Sequence, residues 1–212
     1  MRHSSCQIAK SESDAMNQTF DRLFEILSST RFLRMEGLAN EVPIFIKPYK
    51  VEDEEVIAPM IRSLGQRLKA AGIKVAEIDL FTLLLEELKN DGLLDDLIRD
   101  EATFGKEELL ETLKNYADSR TRVVPRLVDV MQQSGNQMTL ITGVGHVFPF
   151  LRAHTLLDSI QPAMMRHPLV MFFPGEYQQM LGVGSQLRLF GSLPAKGYYR
   201  AFNLDHYQLP TS

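Results

Sequence analysis

The 212-residue sequence predicts an α/β protein with a mostly parallel sheet of five or six strands and helices on both faces. Three observations support that fold class. Two short runs of apolar and β-branched residues, at 42–46 and 75–80, flank a single helical segment. A strand, a helix and a strand in that order predict a parallel pair with a right-handed crossover. A continuous apolar run at 169–173 is typical of a strand that is buried on both faces.

The N-terminal part of the sequence predicts a tail followed by two helices around the first strand. Residues 1–13 are polar and rich in serine, and we expect them to form a disordered tail. An apolar stripe with the spacing i, i+3, i+4 and i+7 then predicts a helix that begins at Ser13 or Asp14. A second helix at 52–71 opens with four consecutive acidic residues, which suit the positive end of the helix dipole, and Gly72 is its predicted C-cap.

Residues 81–134 carry helical patterns almost throughout. Gly92, Gly105 and Pro125 interrupt these patterns, so we expect three or four short helices, with the proline in a first turn. This is more helix than one crossover needs. It therefore predicts a helical insertion at about 81–134 within a single domain that spans 14–212.

A predicted strand at 138–142 leads into the glycine loop Gly143–His146. Gly143 and Gly145 would let the backbone approach an anion, and loops of this kind bind phosphate at the carboxyl ends of parallel strands. The loop lacks the Gly-Lys-Ser/Thr sequence of a P-loop, and Phe148 stands where a dinucleotide-binding loop needs its third glycine. The sequence therefore leaves two interpretations of the loop open, a plain tight turn and a degenerate phosphate-binding site.

The last part of the sequence predicts one more helix and the remaining strands. The helix spans about 149–160. The apolar run at 169–173 ends in Pro174-Gly175, which predicts a sharp turn. Two further runs, at 187–190 and 198–204, predict an antiparallel hairpin at one edge of the sheet.

No catalytic or metal-binding constellation is evident in the sequence. His146 and His154 lie eight residues apart, whereas metal-binding pairs on one helix lie four apart. Glu77 and Asp79 end the second strand, where nucleotide hydrolases hold Mg²⁺, but no phosphate loop precedes them. The Gly-x-Ser-x-Gly elbow of α/β hydrolases is absent. We therefore assign no catalytic residue, no metal and no cofactor.

The composition narrows the class of protein. The single cysteine, Cys6, excludes an internal disulfide and a thiolate metal cluster. No apolar stretch approaches the ~18 residues that a membrane-spanning helix needs, and the N-terminus lacks the apolar segment of a secretory signal. We therefore expect a cytoplasmic protein that does not enter a membrane.

The net charge of −4 is unevenly distributed. Residues 51–118 contain 17 acidic and 8 basic residues, whereas residues 119–212 contain 4 acidic and 8 basic residues. The imbalance indicates either a solvated acidic helical surface or two oppositely charged faces that steer partners. An acidic chain without an arginine- or lysine-rich segment predicts weak or absent direct DNA binding, because phosphate neutralisation supplies much of that affinity.

Six motifs carry a resemblance to a known family: GLANEVPIFI at 37–46, GIKVAEIDL at 72–80, GVGHVFPFLR at 143–152, LVMFFPGEY at 169–177, LFG at 189–191 and YRAF at 199–202. In their order and spacing the chain resembles the BrxB family of the bacterial BREX (bacteriophage exclusion) systems over about residues 20–205. The resemblance implies a place in a phage-defence complex, with no established enzymatic activity. It also implies a nucleotide-hydrolase-type sheet without a phosphate loop. The partners that it implies are the alkaline-phosphatase-like protein PglZ and the ATPase BrxC.

These observations predict a non-catalytic adaptor or structural subunit that works through protein–protein interaction. Exposed arginine and tyrosine beside a rigid turn are favoured at interface centres. The alternatives are a nucleotide or phosphate-ligand sensor that uses the glycine loop, and a nucleic-acid-handling subunit that uses the C-terminal arginines. The outcome that competes with docking is that Arg152, Tyr177 and Arg200 are internal, with the two arginines paired to Glu77, Asp79 or Asp158. The residues predicted to face a partner or ligand are Gly143, Gly145, Arg152, Tyr177 and Arg200.

Overall fold

The computed structural model describes residues 2–36, 43–100, 103, 105–133, 135–160, 167–180, 184–193 and 201–209. The strands are β1 (Ile44–Tyr49), β2 (Val75–Asp79), β3 (Met138–Thr142), β4 (Leu169–Met180), β5 (Gly184–Leu189) and β6 (Phe202–Asn203). The helices are α1 (Arg2–Ser28), α2 (Thr30–Leu33), α3 (Glu54–Ala70), α4 (Leu80–Asn90), α5 (Leu94–Asp100), α6 (Lys106–Tyr116), α7 (Val124–Gln132) and α8 (Ala153–Ile160).

The six strands form a mostly parallel sheet in the order β2-β3-β4-β1-β6, with β5 paired to β4 outside that path. The pairs β2·β3, β3·β4, β4·β1 and β1·β6 are all parallel, and only β4·β5 is antiparallel. The predicted fold class is therefore confirmed. β1 and β2 are parallel as expected, but β3 and β4 lie between them.

Side-chain alternation along the central strands divides the core between two faces of the sheet. In β1, Ile44 and Ile46 pack with α4, α5, α7 and α8, whereas Phe45 packs with α1, α2 and α3. In β4, Met171 and Phe173 join the first cluster, and Val170 and Phe172 join the second. Both faces of the sheet therefore carry helices, as the apolar strand sequences predict.

Helix α1 begins earlier than predicted. It runs from Arg2, so Ser13 and Asp14 lie inside the helix and do not cap it. Neither glycine nor proline interrupts the sequence from residue 2 to residue 28, so the helix can extend over the polar segment 2–13. The predicted apolar stripe is confirmed, because Phe20, Leu23 and Leu27 are buried against the sheet.

Helix α3 ends as the sequence predicts. Gly72 has a φ of +84°, and its N–H donates to the Lys69 carbonyl at 3.0 Å. The next N–H, that of Ile73, reaches the Leu68 carbonyl at 3.1 Å. The two bonds form a Schellman motif, in which glycine adopts the left-handed conformation without strain. The turn delivers the chain directly to β2.

The helical segment between β2 and β3 contains four α-helices, α4 to α7, as predicted. A π-helical turn at Ser119–Val123 precedes α7, and Pro125 lies in the first turn of that helix. All four helices contribute to or pack against the core on one face of the sheet. The described helices of this segment therefore pack on the same face of the sheet.

Helix α8 starts later than predicted, at Ala153 and not near Pro149. Turns occupy residues 144–150 instead. The chain closes a separate turn before the helix, in which the Leu151 N–H donates to the Val147 carbonyl at 2.9 Å. The Leu156 N–H donates to the Arg152 carbonyl at 3.1 Å, so the first helical hydrogen bond starts at Arg152.

The predicted turn at Pro174-Gly175 is wrong. β4 continues through both residues to Met180, and at Gly175 it changes from parallel pairing with β1 to antiparallel pairing with β5. Gly175 has a φ of +154°, and a Cβ there would collide with the Arg188 carbonyl oxygen. The sequence signature of a turn marks a close approach of two strands here.

The antiparallel pairing predicted between the last two strands is not found among the described residues, and residues 198–200 of the second run lie outside them. β5 pairs with β4, and β6 pairs in parallel with β1 through Phe45 and Ile46. Because β4 extends seven residues beyond Phe173, it offers β5 a closer partner than the described C-terminal segment does. The antiparallel hairpin that the structure shows is formed by β4 and β5, and it extends from a strand inside the sheet and not from an edge strand.

Candidate functional site

Parallel strands bring the candidate residues to one edge of the sheet, here called the carboxyl edge. β1 ends there at Tyr49, β2 at Asp79 and β3 at Thr142, while β4 continues past Pro174 into its hairpin with β5. Ligands of doubly wound proteins bind outside the carboxyl ends of the strands. The glycine loop, the hairpin and the start of α8 all lie beside this edge.

The Gly143–His146 loop uses its own backbone groups to form a turn. The N–H groups of His146 and Val147 both donate to the Gly143 carbonyl, at 3.1 and 3.2 Å. A phosphate-binding loop needs such N–H groups directed at the ligand. The loop geometry therefore favours the plain-turn interpretation of the sequence.

A carboxylate lies beside the first glycine of that loop. Gly143 has a φ of +74°, and a Cβ there would lie 2.6 Å from Asp79 Oδ2. Asp79 accepts hydrogen bonds from the Thr82 N–H at 2.9 Å, the Thr82 hydroxyl at 3.0 Å and the Thr142 hydroxyl at 3.1 Å. Asp79 therefore caps α4 and ties β2 to β3. Its negative charge also opposes phosphate binding at the loop.

Glu77 and Asp79 do not act together. The Glu77 carboxylate pairs with Lys69 Nζ at 2.6 Å and packs over Gly65 of α3, away from the cap of α4. Among the residues that the structure describes, no group of three or more histidine, cysteine, aspartate or glutamate side chains is arranged to hold a metal ion. The Mg²⁺ interpretation of these two carboxylates gains no support.

The β4–β5 hairpin covers the second glycine of the loop. A Cβ on Gly145 would lie 3.1 Å from Pro174 Cγ and 3.2 Å from Phe190 Cε1. The rings of Phe148 and Phe190 meet edge to face, with centroids 6.0 Å apart. The loop and the hairpin thus form one packed unit.

Phe190 is a residue of this unit that the sequence analysis did not single out. Its φ is +56°, which is unusual for a bulky side chain. Its N–H donates to the Pro174 carbonyl at 2.8 Å, and that bond holds the strained residue at the end of β5. The only signal in the sequence is the Phe190-Gly191 pair at the end of a strand pattern, which is too common to identify such a position.

Tyr177 is half-buried and not exposed as expected. Its ring packs against the core cluster of the α4–α8 face, and its hydroxyl donates to the Ala201 carbonyl at 2.6 Å. The hairpin extension of β4 causes the difference, because it carries Tyr177 back over the chain that precedes β6. Tyr177 therefore joins the hairpin to the C-terminal segment.

Arg152 is exposed, as the sequence predicts for a partner-facing side chain. Within the described part of the chain it forms no ion pair, and the predicted alternative pairing with Asp158 is not seen. Arg200 lies outside the described residues. The structure thus joins Gly143, Gly145 and Tyr177 through the hairpin and places Arg152 at the end of the loop.

Arg122 and Arg126, before and within α7, form structural ion pairs. Arg122 pairs with Asp91 at 2.9 Å and stacks on the Tyr116 ring at 4.1 Å. Hydrogen bonds from Arg122 and then Tyr116 lower the pKa of the Asp91 carboxyl. Arg126 Nε lies 2.8 Å from Glu87 Oε1. These contacts support the interpretation of salt bridges to the acidic middle of the chain.

The outer surface of α4 to α6 and of the turn that follows is acidic, as the charge distribution predicts. Short-range pairs such as Arg99–Asp96 and Lys114–Glu111 neutralise part of it. No helix in the described ranges is long and apolar enough to cross a membrane. The exposed carboxylates of this surface are Glu86, Asp91, Asp95, Asp96, Glu107, Glu108, Glu111 and Asp118.

Comparison with known proteins identifies relatives that align with most of the chain. A BREX protein BrxB of Bacillus cereus (strain H3081.97) is 33% identical over 193 residues, which cover 89% of this chain and 97% of that protein. A BREX protein BrxB of Escherichia coli O9:H4 (strain HS) is 26% identical over 178 residues, 84% of this chain and 86% of that protein. No solved structure matches significantly. The family described as BREX protein BrxB matches residues 76–204, which include the loop, the hairpin and β6. The chain belongs to the BrxB family and is a component of a BREX phage-defence system.

Proposed function

We propose that the protein is a non-catalytic adaptor of a cytoplasmic BREX complex and that it docks other components through the carboxyl edge. The docking region is here called the loop–hairpin surface and comprises residues 143–152, Phe81, Tyr177 and Phe190. The observation that carries the proposal is the packing of the glycine loop under the hairpin. That packing gives the end of β3 a fixed shape in place of an open ligand pocket.

The composition of the loop–hairpin surface suits a protein partner. Phe81 is 36% exposed, and its ring meets the exposed His146 ring edge to face at 6.3 Å. Arg152 is exposed at the end of the same loop. Aromatic residues and arginine are enriched in interface cores, and a pre-formed surface loses little entropy when it binds.

The proposed partners are other BREX proteins, namely the alkaline-phosphatase-like protein PglZ and the ATPase BrxC. Arg152 lacks a carboxylate partner in the described part of this chain, so the partner surface supplies an acidic side chain to it. The acidic surface of α4 to α6 lies on a different part of the molecule. Its charge steers the approach and is not the proposed contact.

The alternative functions are less well supported. A phosphate sensor would place its ligand beside the Asp79 carboxylate, at a loop in which the N–H groups of His146 and Val147 already donate to the Gly143 carbonyl. A nucleic-acid-handling subunit would use several C-terminal arginines together, but Arg122 and Arg126 pair with carboxylates, and of these three only Arg152 forms no ion pair within the described residues. Weak or absent direct DNA binding remains the expectation.

Co-purification of the complete BREX system from cells tests the adaptor proposal. We expect Arg152→Ala to lower the recovery of the proposed partner about tenfold, since loss of a charge-assisted interface contact costs about that much in affinity. Tyr177→Ala and Arg200→Ala complete the series, and Tyr177→Phe separates the loss of the hydroxyl from the loss of the ring. Mass spectrometry of the recovered chains identifies the partner.

Arg62→Ala is the matched control, because Arg62 is exposed on α3, on the opposite face of the sheet. It should leave partner recovery unchanged. Thermal melting of each variant accompanies the measurement. Undiminished recovery with Arg152→Ala, Tyr177→Ala and Arg200→Ala, or a loss that follows unfolding, would contradict docking at the loop–hairpin surface.

A further inference from the structure

A cavity of about 420 Å³ lies at the carboxyl end of β1, separate from the loop–hairpin surface. Helix α1 forms one wall with Met16, Thr19 and Phe20, and β1 with the turn that follows it forms the other. The volume lies in the range of small-molecule sites, and the position is the strand end where α/β proteins bind ligands. No feature of the sequence singled out this place.

A buried lysine lines the cavity and is only partly satisfied. Lys47 is 9% exposed, and its ammonium group donates to Asp205 Oδ1 at 2.5 Å. An ammonium group has three N–H donors. Within the described ranges Asp205 is the one hydrogen-bond acceptor of Lys47. Two donors of a nearly buried cation are therefore available to an acceptor in the cavity.

The other polar groups around the cavity carry charges of both signs. The Tyr49 hydroxyl donates to Glu54 Oε2 of α3, and this hydrogen bond leaves the charge of the carboxylate in place. Burial, and then the Glu54 contact, raise the pKa of Tyr49, so the phenol stays neutral. Lys50 adds a second cation to the lining and offsets the carboxylate of Asp53.

The remaining lining is apolar. Phe20 and Ile57 are buried at 4% and 6% exposure, and Met16 is partly buried beside them. An inorganic ion would leave this surface in contact with water. A ligand with an apolar body would cover it, at a gain that scales with the buried area.

We propose that this cavity binds a small organic oxyanion, a carboxylate or a phosphate ester, with its charged group on Lys47 and its apolar body against Met16, Phe20 and Ile57. The site is distinct from the proposed docking surface, so the protein can hold the ligand and a partner together. The proposal does not depend on the adaptor function.

The methyl groups of the methionines provide a direct test on the full-length protein. ¹³C-methyl-methionine spectra are recorded while benzoate, phenyl phosphate, inorganic phosphate or the neutral benzyl alcohol is added. We expect benzoate or phenyl phosphate to shift the Met16 signal with a Kd of about 1 mM, as befits a fragment-sized ligand. The signal of Met131, which is buried on the other face, should stay in place. Inorganic phosphate and benzyl alcohol should bind at least about tenfold more weakly.

Three variants give the chemistry of the site. Lys47→Met should weaken the binding of benzoate and phenyl phosphate about tenfold or more, whereas the exposed Lys74→Met should not change it. Thr19→Phe, at an exposed position of α1 that lines the cavity, should block binding by occupying the space. If Lys47→Met does not fold, the comparison of the four ligands and the Thr19→Phe variant still test whether the cavity binds an organic oxyanion.

Three outcomes would overturn the proposal. In the first, none of the anions shifts the Met16 signal at concentrations up to about 20 mM. In the second, benzyl alcohol binds as tightly as benzoate and phenyl phosphate. In the third, folded Lys47→Met or Thr19→Phe binds benzoate and phenyl phosphate as tightly as the natural sequence does. Preference for benzoate or for phenyl phosphate distinguishes a carboxylate from a phosphate ester.

Discussion

The ends of β3 and β1 lie on the same edge of the sheet but differ in what covers them. At the end of β3, the loop carbonyls, the Asp79 cap and the β4–β5 hairpin fill the space. At the end of β1, helix α1 stands off far enough to leave a cavity of about 420 Å³ with Lys47 in its wall. Whether a strand end can take a ligand therefore depends on the segments that pack over it.

The two ends also use charge differently. The Asp79 carboxylate accepts three hydrogen bonds, two from Thr82 and one from Thr142. Lys47 has a single described partner, the half-exposed Asp205. A fully satisfied group stabilises the local fold, whereas a partly satisfied buried group can gain from a ligand. The comparison thus separates a structural strand end from a candidate binding site.

The largest expected effect comes from a substitution in the β4–β5 hairpin, which packs over the end of β3. Gly175→Ala would place a Cβ against the Arg188 carbonyl oxygen at a φ of +154°, so the hairpin must shift. We expect the free energy of unfolding to fall by about 3 kcal/mol or more in urea titrations. Gly72→Ala is the control, because φ is also positive there but no atom lies within 4 Å. It should cost only about 1 kcal/mol. Equal losses would mean that the close approach of β4 and β5 is unimportant.

A moderate effect is expected at the Asp79 cap. Asp79→Ala removes the acceptor of the Thr82 N–H and the tie to Thr142. The free energy of unfolding should fall by about 1–2 kcal/mol, as for other N-cap losses. Glu111→Ala, in the middle of α6, breaks an exposed pair with Lys114 and should cost at most about 0.5 kcal/mol. If the Asp79 variant is as stable as the Glu111 variant, the strand end is not held by its cap.

The smallest effect is expected at the opposite edge of the sheet, where a buried polar pair has no ligand role. His167 is 8% exposed and shares a 2.8 Å hydrogen bond with the Thr139 hydroxyl. Burial lowers the pKa of His167 in the folded protein. The unfolded chain therefore binds more protons below about pH 6.5, so this part of the stability is complete above that pH and is lost as the pH falls toward the lowered pKa.

Urea midpoints at about pH 7.5 and about pH 5.5 measure this loss. The difference between the two midpoints should be smaller in His167→Asn than in the natural sequence, because the variant no longer has the titrating group. A pH dependence that persists unchanged in the variant would assign the loss to other residues.

Local signals carried much of the fold prediction. The helical stripe of α1, the glycine C-cap of α3 and the short helices between β2 and β3 were predicted because hydrophobic spacing and glycine or proline positions act within a few residues. The predicted start of α1 is wrong because a polar segment that contains neither glycine nor proline can extend a helix toward its N-terminus. The turn at Pro174-Gly175 was wrong because the same residues can serve a close approach between strands.

The candidate site was harder to predict. The sequence identifies the glycine loop, and a plain tight turn is one of the two interpretations that it leaves open. The surroundings of Phe190 and Lys47 depend on segments that are distant in the sequence. Phe190 is held by β4. Lys47 bonds to Asp205 and lines a cavity with α1. The half-burial of Tyr177 follows from its bond to Ala201, 24 residues away.

The sequence by itself determined the fold class, the burial of the central strands on both faces, the acidic helical surface and the family. These properties follow from composition, periodicity and local motifs, which need no knowledge of distant contacts. Tertiary structure alone decided the strand order, the partner of β5, the closure of the glycine loop and the cavity at the end of β1. Each of these depends on which remote segments pack together, and the spacing of residues along the chain does not specify that packing.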